Sequence, residues 1–189
     1  MSEKFKRKYR NETTRLKSWN YGWNGSYFVT ICAKNRERYF GEIKKDEMFL
    51  SEIGKIANQC WKEIPDHFPF VKLGEFVIMP NHVHGIIIID KKEDGRFSKP
   101  HVGKQNFASL RAPKPRQKSQ NKFGPQSKNL GSIVRGFKIG VTKKARKIRT
   151  DFQWQARYYD HIIRDQESFN NISEYIRNNP SQWKEDRFY

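Results

Sequence analysis

The chain of 189 residues is long enough for one domain with a real core. Its 38 Lys and Arg against 20 Asp and Glu leave a net charge of +18, which implies a polyanionic partner, nucleic acid before an anionic membrane surface. An aromatic content of 14 % excludes disorder of the whole chain. No apolar run approaches the ~20 residues of a membrane span, and the basic N-terminus lacks an apolar signal core, so a soluble, cytoplasmic, nucleoid-associated protein is expected.

Residues 1–20 hold seven basic and two acidic side chains without apolar periodicity and read as a basic N-terminal arm. Residues 21–189 read as a single domain. Trp19, Tyr21 and Trp23 are expected to pack under a sheet rather than stack on bases. The β-branched and aromatic run at 27–32 predicts the first strand. Residues 35–45 are polar, a loop or short hairpin. Leu50, Ile53, Ile56, Ala57, Cys60, Trp61 and Ile64 recur at spacings of three and four, which predicts a helix from Ser51 that Pro65 stops. Residues 70–79 read as a strand bulged at Gly74, Pro80-Asn81 breaks it, and 82–89 is a further strand, apolar on both faces beyond His84. Such a strand belongs in the middle of a sheet, covered on each side. Cys32 and Cys60 read as buried thiols, not a disulfide or zinc site.

Residues 91–128 change character, with eleven basic and two acidic side chains and four prolines; this basic, low-complexity insertion supplies +9 of the net charge. A helix is predicted on Leu130, Ile133, Val134, Phe137, Val141, Ala145 and Ile148. Its remaining positions include Arg135, Lys138, Lys143, Lys144, Arg146, Lys147 and Arg149, with no acid between 130 and 150. Cations in that density favour a DNA- or RNA-facing surface. A short strand with flanking turns follows at 152–164. Asp165 is a candidate N-cap for the last helix, whose apolar stripe is Phe169, Ile172 and Ile176 and which Pro180 ends. The order strand, helix, strand, strand, helix, strand, helix predicts an α+β fold, a ferredoxin-like antiparallel sheet with helices on one face.

Two patterns carry chemistry. In Met79-Pro80-Asn81-His82-Val83-His84-Gly85 the two imidazoles share one strand face. They can hold a divalent metal or serve as ordinary polar residues at a strand end. On the last helix, Tyr175 falls beside the apolar stripe and Asn179 lies one turn below it, a phenol and a carboxamide on one flank. The helical backbone is expected to be leaving at Asn179, which precedes a proline.

Together with the block from Trp154 to Arg164 (Trp-Gln-Ala-Arg-Tyr-Tyr-Asp-His-Ile-Ile-Arg) and with Tyr175-Ile176-Arg177-Asn178-Asn179-Pro180, the His82/His84 motif resembles the REP-associated tyrosine transposases, members of the single-tyrosine HUH transposase superfamily. The resemblance runs from about Tyr21 to the end and does not extend to 91–128. It implies a ferredoxin-like core of the HUH-endonuclease type. His82 and His84 match the paired histidines, Tyr175 the nucleophile, and Asn179 the amide metal ligand, where many relatives outside this branch carry Gln. The implied cofactor is Mg²⁺ or Mn²⁺, although the donor set alone would equally suit Zn²⁺ or Ni²⁺. The implied reaction is nicking and strand transfer of single-stranded DNA at hairpin-forming repeats through a 5′-phosphotyrosine intermediate. The partners are single-stranded or hairpin DNA and no membrane; one chain or a homodimer could assemble the site.

Tyr158 and Tyr159 are rival nucleophiles, but four residues on from them stand Ile162 and Ile163, not ligands, so they read as packing or base-stacking residues. His161 reads as a surface or structural histidine. Two other functions remain open from the residues. One is a non-catalytic binder of structured nucleic acid. The other is a zinc hydrolase, against which the missing third His or carboxylate speaks.

Overall fold

The computed structural model describes residue 16 and residues 18–92 and 127–185. Most of the basic arm and of the 91–128 insertion lies outside the described residues. Strand β1 (Gly25–Cys32) is followed by a hairpin of β2 (Gly41–Lys44) and β3 (Glu47–Leu50), helix α1 (Glu52–Lys62) and the short helix α2 (Ile64–His67). Then come β4 (Val71–Ile78), β5 (His82–Ile89), α3 (Leu130–Ala145), β6 (Tyr159–Ile163) and α4 (Gln166–Asn178).

The main sheet is antiparallel in the order β4-β5-β1-β6, with β5 and β1 central. This is the ferredoxin-like arrangement predicted above. Helix α1 crosses from β1 to β4, and α3 crosses from β5 to β6. Each crossover joins strands that run parallel, and right-handed crossovers interleaved in this way place both helices on one face. That face carries the large core, where Tyr27, Val29, Ile31, Ile87, Ile89 and Ile162 meet Ile53, Ala57 and Trp61 of α1 and Ile133, Val134, Phe137 and Val141 of α3.

Helix α4 departs from the expectation of helices on one face. The alternate residues of the same strands, Phe28, Ile86 and Ile163, pack with Ile176, Phe169 and Ile172 of α4 on the opposite face. The physical reason is that α4 follows the last strand, so no crossover rule ties it to the α1 and α3 side. Its apolar stripe covers the second apolar face of β5, the cover which that strand's sequence demanded.

Local signals set the element ends. Ser51 accepts from the Gly54 amide at 3.0 Å and caps α1. Helix α1 stops at Lys62, ahead of Pro65 as expected, and Pro65 itself occupies the first turn of α2, where its missing N–H costs no bond. Asn129 and Ser132 form a reciprocal capping box for α3, at 2.8 and 3.0 Å. Helix α3 stops at Ala145, so Ile148 lies beyond it and is exposed. Asp165 caps α4, accepting from the Ser168 amide at 2.7 Å. The β4–β5 register shifts between Leu73 and Phe76, the bulge expected at Gly74.

Cys60 is buried and Cys32 half-buried, and no disulfide joins them. Tyr21 and Trp19 pack against the main core, as expected. Among the described residues no helix is long and apolar enough to cross a membrane.

Candidate metal and nucleophile site

The Pro80-Asn81 turn starts β5 with its register already set. The Met79 amide donates to the His82 carbonyl at 2.8 Å, and the Ala33 amide donates to the Asn81 carbonyl at 2.8 Å. In the β1–β5 ladder His84 faces Thr30 and His82 faces Cys32. Directly opposed residues share a face, so both imidazoles lie on the α4 side. They are buried, with ring centroids 4.3 Å apart.

From the other side α4 brings Tyr175. Its Oη lies 3.3 Å from His84 Nε2. Phe28 fixes this pair: its ring stacks on His84 at 5.3 Å and meets Tyr175 edge-on at 6.2 Å. Tyr175 is nonetheless 40 % exposed.

Asn179 keeps right-handed helical dihedrals (φ −57°, ψ −38°), although Pro180 was expected to pull it out of the helix. It therefore stays one turn below Tyr175, and it is buried. Trp183, one further turn on, closes the same end, with its ring 6.0 Å from His82.

The donors present fit a divalent cation. Nδ1 of His84 is engaged by the Thr30 hydroxyl at 2.9 Å and Nδ1 of His82 by the Asn81 side-chain oxygen at 2.8 Å, so coordination would fall to Nε2 of each ring. Among the described residues no three or more His, Cys, Asp and Glu side chains cluster to hold a metal. Thr30, Phe28 and Asn81 are site residues without an assigned role in the sequence reading. A lone threonine inside the β-branched and aromatic run 27–32 was the available signal for Thr30.

The α3 cations lie elsewhere. Helix α3 is on the opposite face of the sheet, where Arg135, Lys138, Lys143, Arg146 and Arg157 line a groove of about 700 Å³. Lys138 differs from its neighbours: its ammonium donates to the carbonyls of Gln155 and Arg157 at 2.8 and 2.6 Å and lies over Trp154. Burial pulls its pKa down to about 8. The stretch without acids is also partly neutralised in space, since Glu63, at the junction of α1 and α2, pairs with Lys144 at 3.4 Å. Lys147 is exposed beyond the helix.

Of the rival tyrosines, Tyr158 is half-buried against the main core. Tyr159 is 43 % exposed on the site face, edge-on to Phe28 at 6.3 Å. His161 is exposed on β6, opposite Phe28.

A four-stranded antiparallel sheet with two crossover helices on one face and a further helix on the other is a transposase-like α+β fold. Its fold is that of the REP-associated tyrosine transposases. A solved structure of a REP-associated tyrosine transposase bound to a REP hairpin superposes with a TM-score of 0.57 at 17 % identity, over 92 % of this chain and 74 % of that one. A Haemophilus influenzae protein provisionally named a REP-associated tyrosine transposase is 23 % identical over 156 residues, 82 % of this chain and 70 % of its own. The chain belongs to one family with an uncharacterized protein of the same organism, 47 % identical over 176 residues, 93 % of this chain and 91 % of the relative. No protein-family model matches it.

Proposed function

We propose that the chain is a single-stranded DNA strand transferase in which Tyr175 is the nucleophile. The observation that carries this reading is the 3.3 Å separation of Tyr175 Oη from His84 Nε2, in a chain of net charge +18. Tyr175 Oη attacks a backbone phosphorus. The Oη–P bond forms and the P–O3′ bond breaks; the phenol gives up its proton and the departing 3′ oxygen takes one up. The products are a 5′-phosphotyrosine and a free 3′-OH. Attack by that hydroxyl, or by another, reverses the step and joins strands without ATP.

A phenol of ordinary pKa, about 10, is a weak nucleophile at neutral pH. A Mg²⁺ or Mn²⁺ ion held by His82, His84 and Asn179 would polarise the scissile phosphate and offset its developing charge. These three side chains bring no negative charge of their own, so a phosphate can share the site. Phe28 holds the Tyr175 ring, and the partial exposure of Tyr175 admits an unpaired strand. The substrate class is DNA that folds into hairpins at repeats. The Arg135, Lys143 and Arg146 side chains would hold its phosphates on the other face, with the strand passing the β6 edge to reach Tyr175. One chain or a pair could do this, at the nucleoid.

The test is incubation with labelled single-stranded hairpin DNA and Mg²⁺ or Mn²⁺. An SDS-resistant adduct that disappears in Tyr175→Phe supports the reading. An adduct that persists in Tyr175→Phe but is lost in Tyr158→Phe or Tyr159→Phe refutes the nucleophile assignment. Binding with no adduct under any metal leaves a non-catalytic binder of structured nucleic acid.

A further inference from the structure

Thr30 and Asn81 are polar residues buried to 2 % exposure, and each touches the Nδ1 atom of one site histidine. Both are held by backbone. Thr30 is paired with His84 in the β1–β5 ladder, and the Asn81 carbonyl accepts from the Ala33 amide.

We propose that Thr30 and Asn81 are positioning residues that present Nε2 of both imidazoles to a divalent cation, and that they do so unequally. The inference rests on the reading of His82 and His84 as a metal seat. A carboxamide oxygen only accepts. Opposite Asn81 Oδ1, His82 therefore carries its proton on Nδ1, and Nε2 keeps the lone pair that coordination requires. His82 is the standing ligand.

A hydroxyl both donates and accepts. When His84 Nε2 holds a lone pair, Thr30 accepts from Nδ1–H, and Nε2 can take either the Tyr175 O–H or a cation. When Nε2 carries the proton, Thr30 donates to Nδ1 and the ring points N–H at the Tyr175 oxygen. Thr30 thus keeps His84 anchored through either tautomer. His84 can exchange Tyr175 for a cation without losing its orientation, which frees the phenol for attack.

The test reads tautomers directly. Long-range ¹H–¹⁵N spectra of the metal-free, ¹⁵N-His-labelled protein are taken where imidazole is neutral. His82 should show the Nδ1–H form. Asn81→Leu should abolish that preference, and Asn81→Asp, still an acceptor, should keep it. Thr30→Val should release His84, and Thr30→Ser should restore it. Calorimetric titration with Mn²⁺ should then find binding weakened by about 10–100-fold in Thr30→Val and Asn81→Leu, with Thr30→Ser close to wild type. His82 in the Nε2–H form in the wild type, or unchanged tautomers and Mn²⁺ affinity in both apolar variants, would overturn the proposal. A wild type with the expected tautomers but no Mn²⁺ binding sinks the metal-seat reading instead. Scrambled tautomers with normal Mn²⁺ binding sink this inference alone.

Discussion

Tyr175 Oη and His84 Nε2 stand 3.3 Å apart, although 91 positions separate the two residues in the chain. Helix α4 brings them together, because its Ile176, Ile172 and Phe169 stripe docks on Phe28, Ile86 and Ile163 of the sheet. The ring of Tyr175 leans on Phe28, and in the proposed mechanism only its oxygen reacts. Tyr175→Phe should therefore cut adduct formation by several orders of magnitude, as removal of a nucleophile does. Its unfolding free energy should move by no more than about 1 kcal/mol, the net worth of one part-exposed hydrogen bond. A gel assay and a denaturant titration check the two halves separately.

Tyr159 shares the Phe28 edge and is exposed on the same face. Tyr159→Ala should weaken single-stranded DNA binding by about 1–3 kcal/mol, the range for one base stacked on an aromatic ring, while Tyr159→Phe stays near wild type. Fluorescence anisotropy with an unpaired oligonucleotide measures both; equal affinity in Tyr159→Ala would assign Tyr159 to packing alone.

Gly85, directly after the His pair, has a steric role. A Cβ added there would run into the Trp61 ring and sit 3.0 Å from Phe76 Cβ. Trp61 is fully buried between Phe76 and Phe137, so it has nowhere to go. Gly85→Ala should cost about 1–3 kcal/mol through overpacking. By shifting β5 it should also lower adduct yield without touching any reacting group. Thermal unfolding and the adduct assay on one sample decide this.

The groove on α3 should act on affinity, not on chemistry. Neutralising Arg135, Lys143 and Arg146 together should weaken hairpin DNA binding and flatten its salt dependence, by about 0.9 in the log–log slope for each duplex phosphate that the protein no longer neutralises. At saturating DNA the adduct rate should hold, because His82 and His84 lie across the sheet. Lys144→Gln should do less, since Glu63 already pairs with that ammonium. Anisotropy over a salt series tests the slope.

Lys138 belongs to the fold more than to the DNA surface, and pH should reveal it. Burial lowers its folded-state pKa from 10.5 to about 8. Between those values the unfolded chain binds the proton more readily, so stability rises with pH. The benefit is complete above pH 10.5 and is lost as pH falls to about 8. The stability of wild type relative to Lys138→Met should climb across that window, in denaturant titrations at fixed ionic strength; a flat difference would count against a desolvated ammonium.

Strands, helices and caps were legible from local pattern because each rests on neighbours in the chain. Ser51 and Asp165 need only the next turn of helix, and the bulge at Gly74 needs only a missing side chain. The short helix α2 was not legible, because a proline that stops one helix is equally suited to open the next.

By itself, then, the sequence determined that β5 must be buried on both faces, that His82 and His84 share one of them, and that Tyr175 and Asn179 share a helix flank. Periodicity of two and of 3.6 residues is enough for that. Only the tertiary structure decided that α4 lies across the sheet from α1 and α3, and hence that the His pair meets Tyr175 while the α3 cations face away. It also decided that Thr30 lies against the His84 imidazole. Those relations depend on which face a helix takes once no crossover constrains it, and on strand register between segments far apart in the chain, 54 positions for Thr30 and His84. No local pattern encodes either.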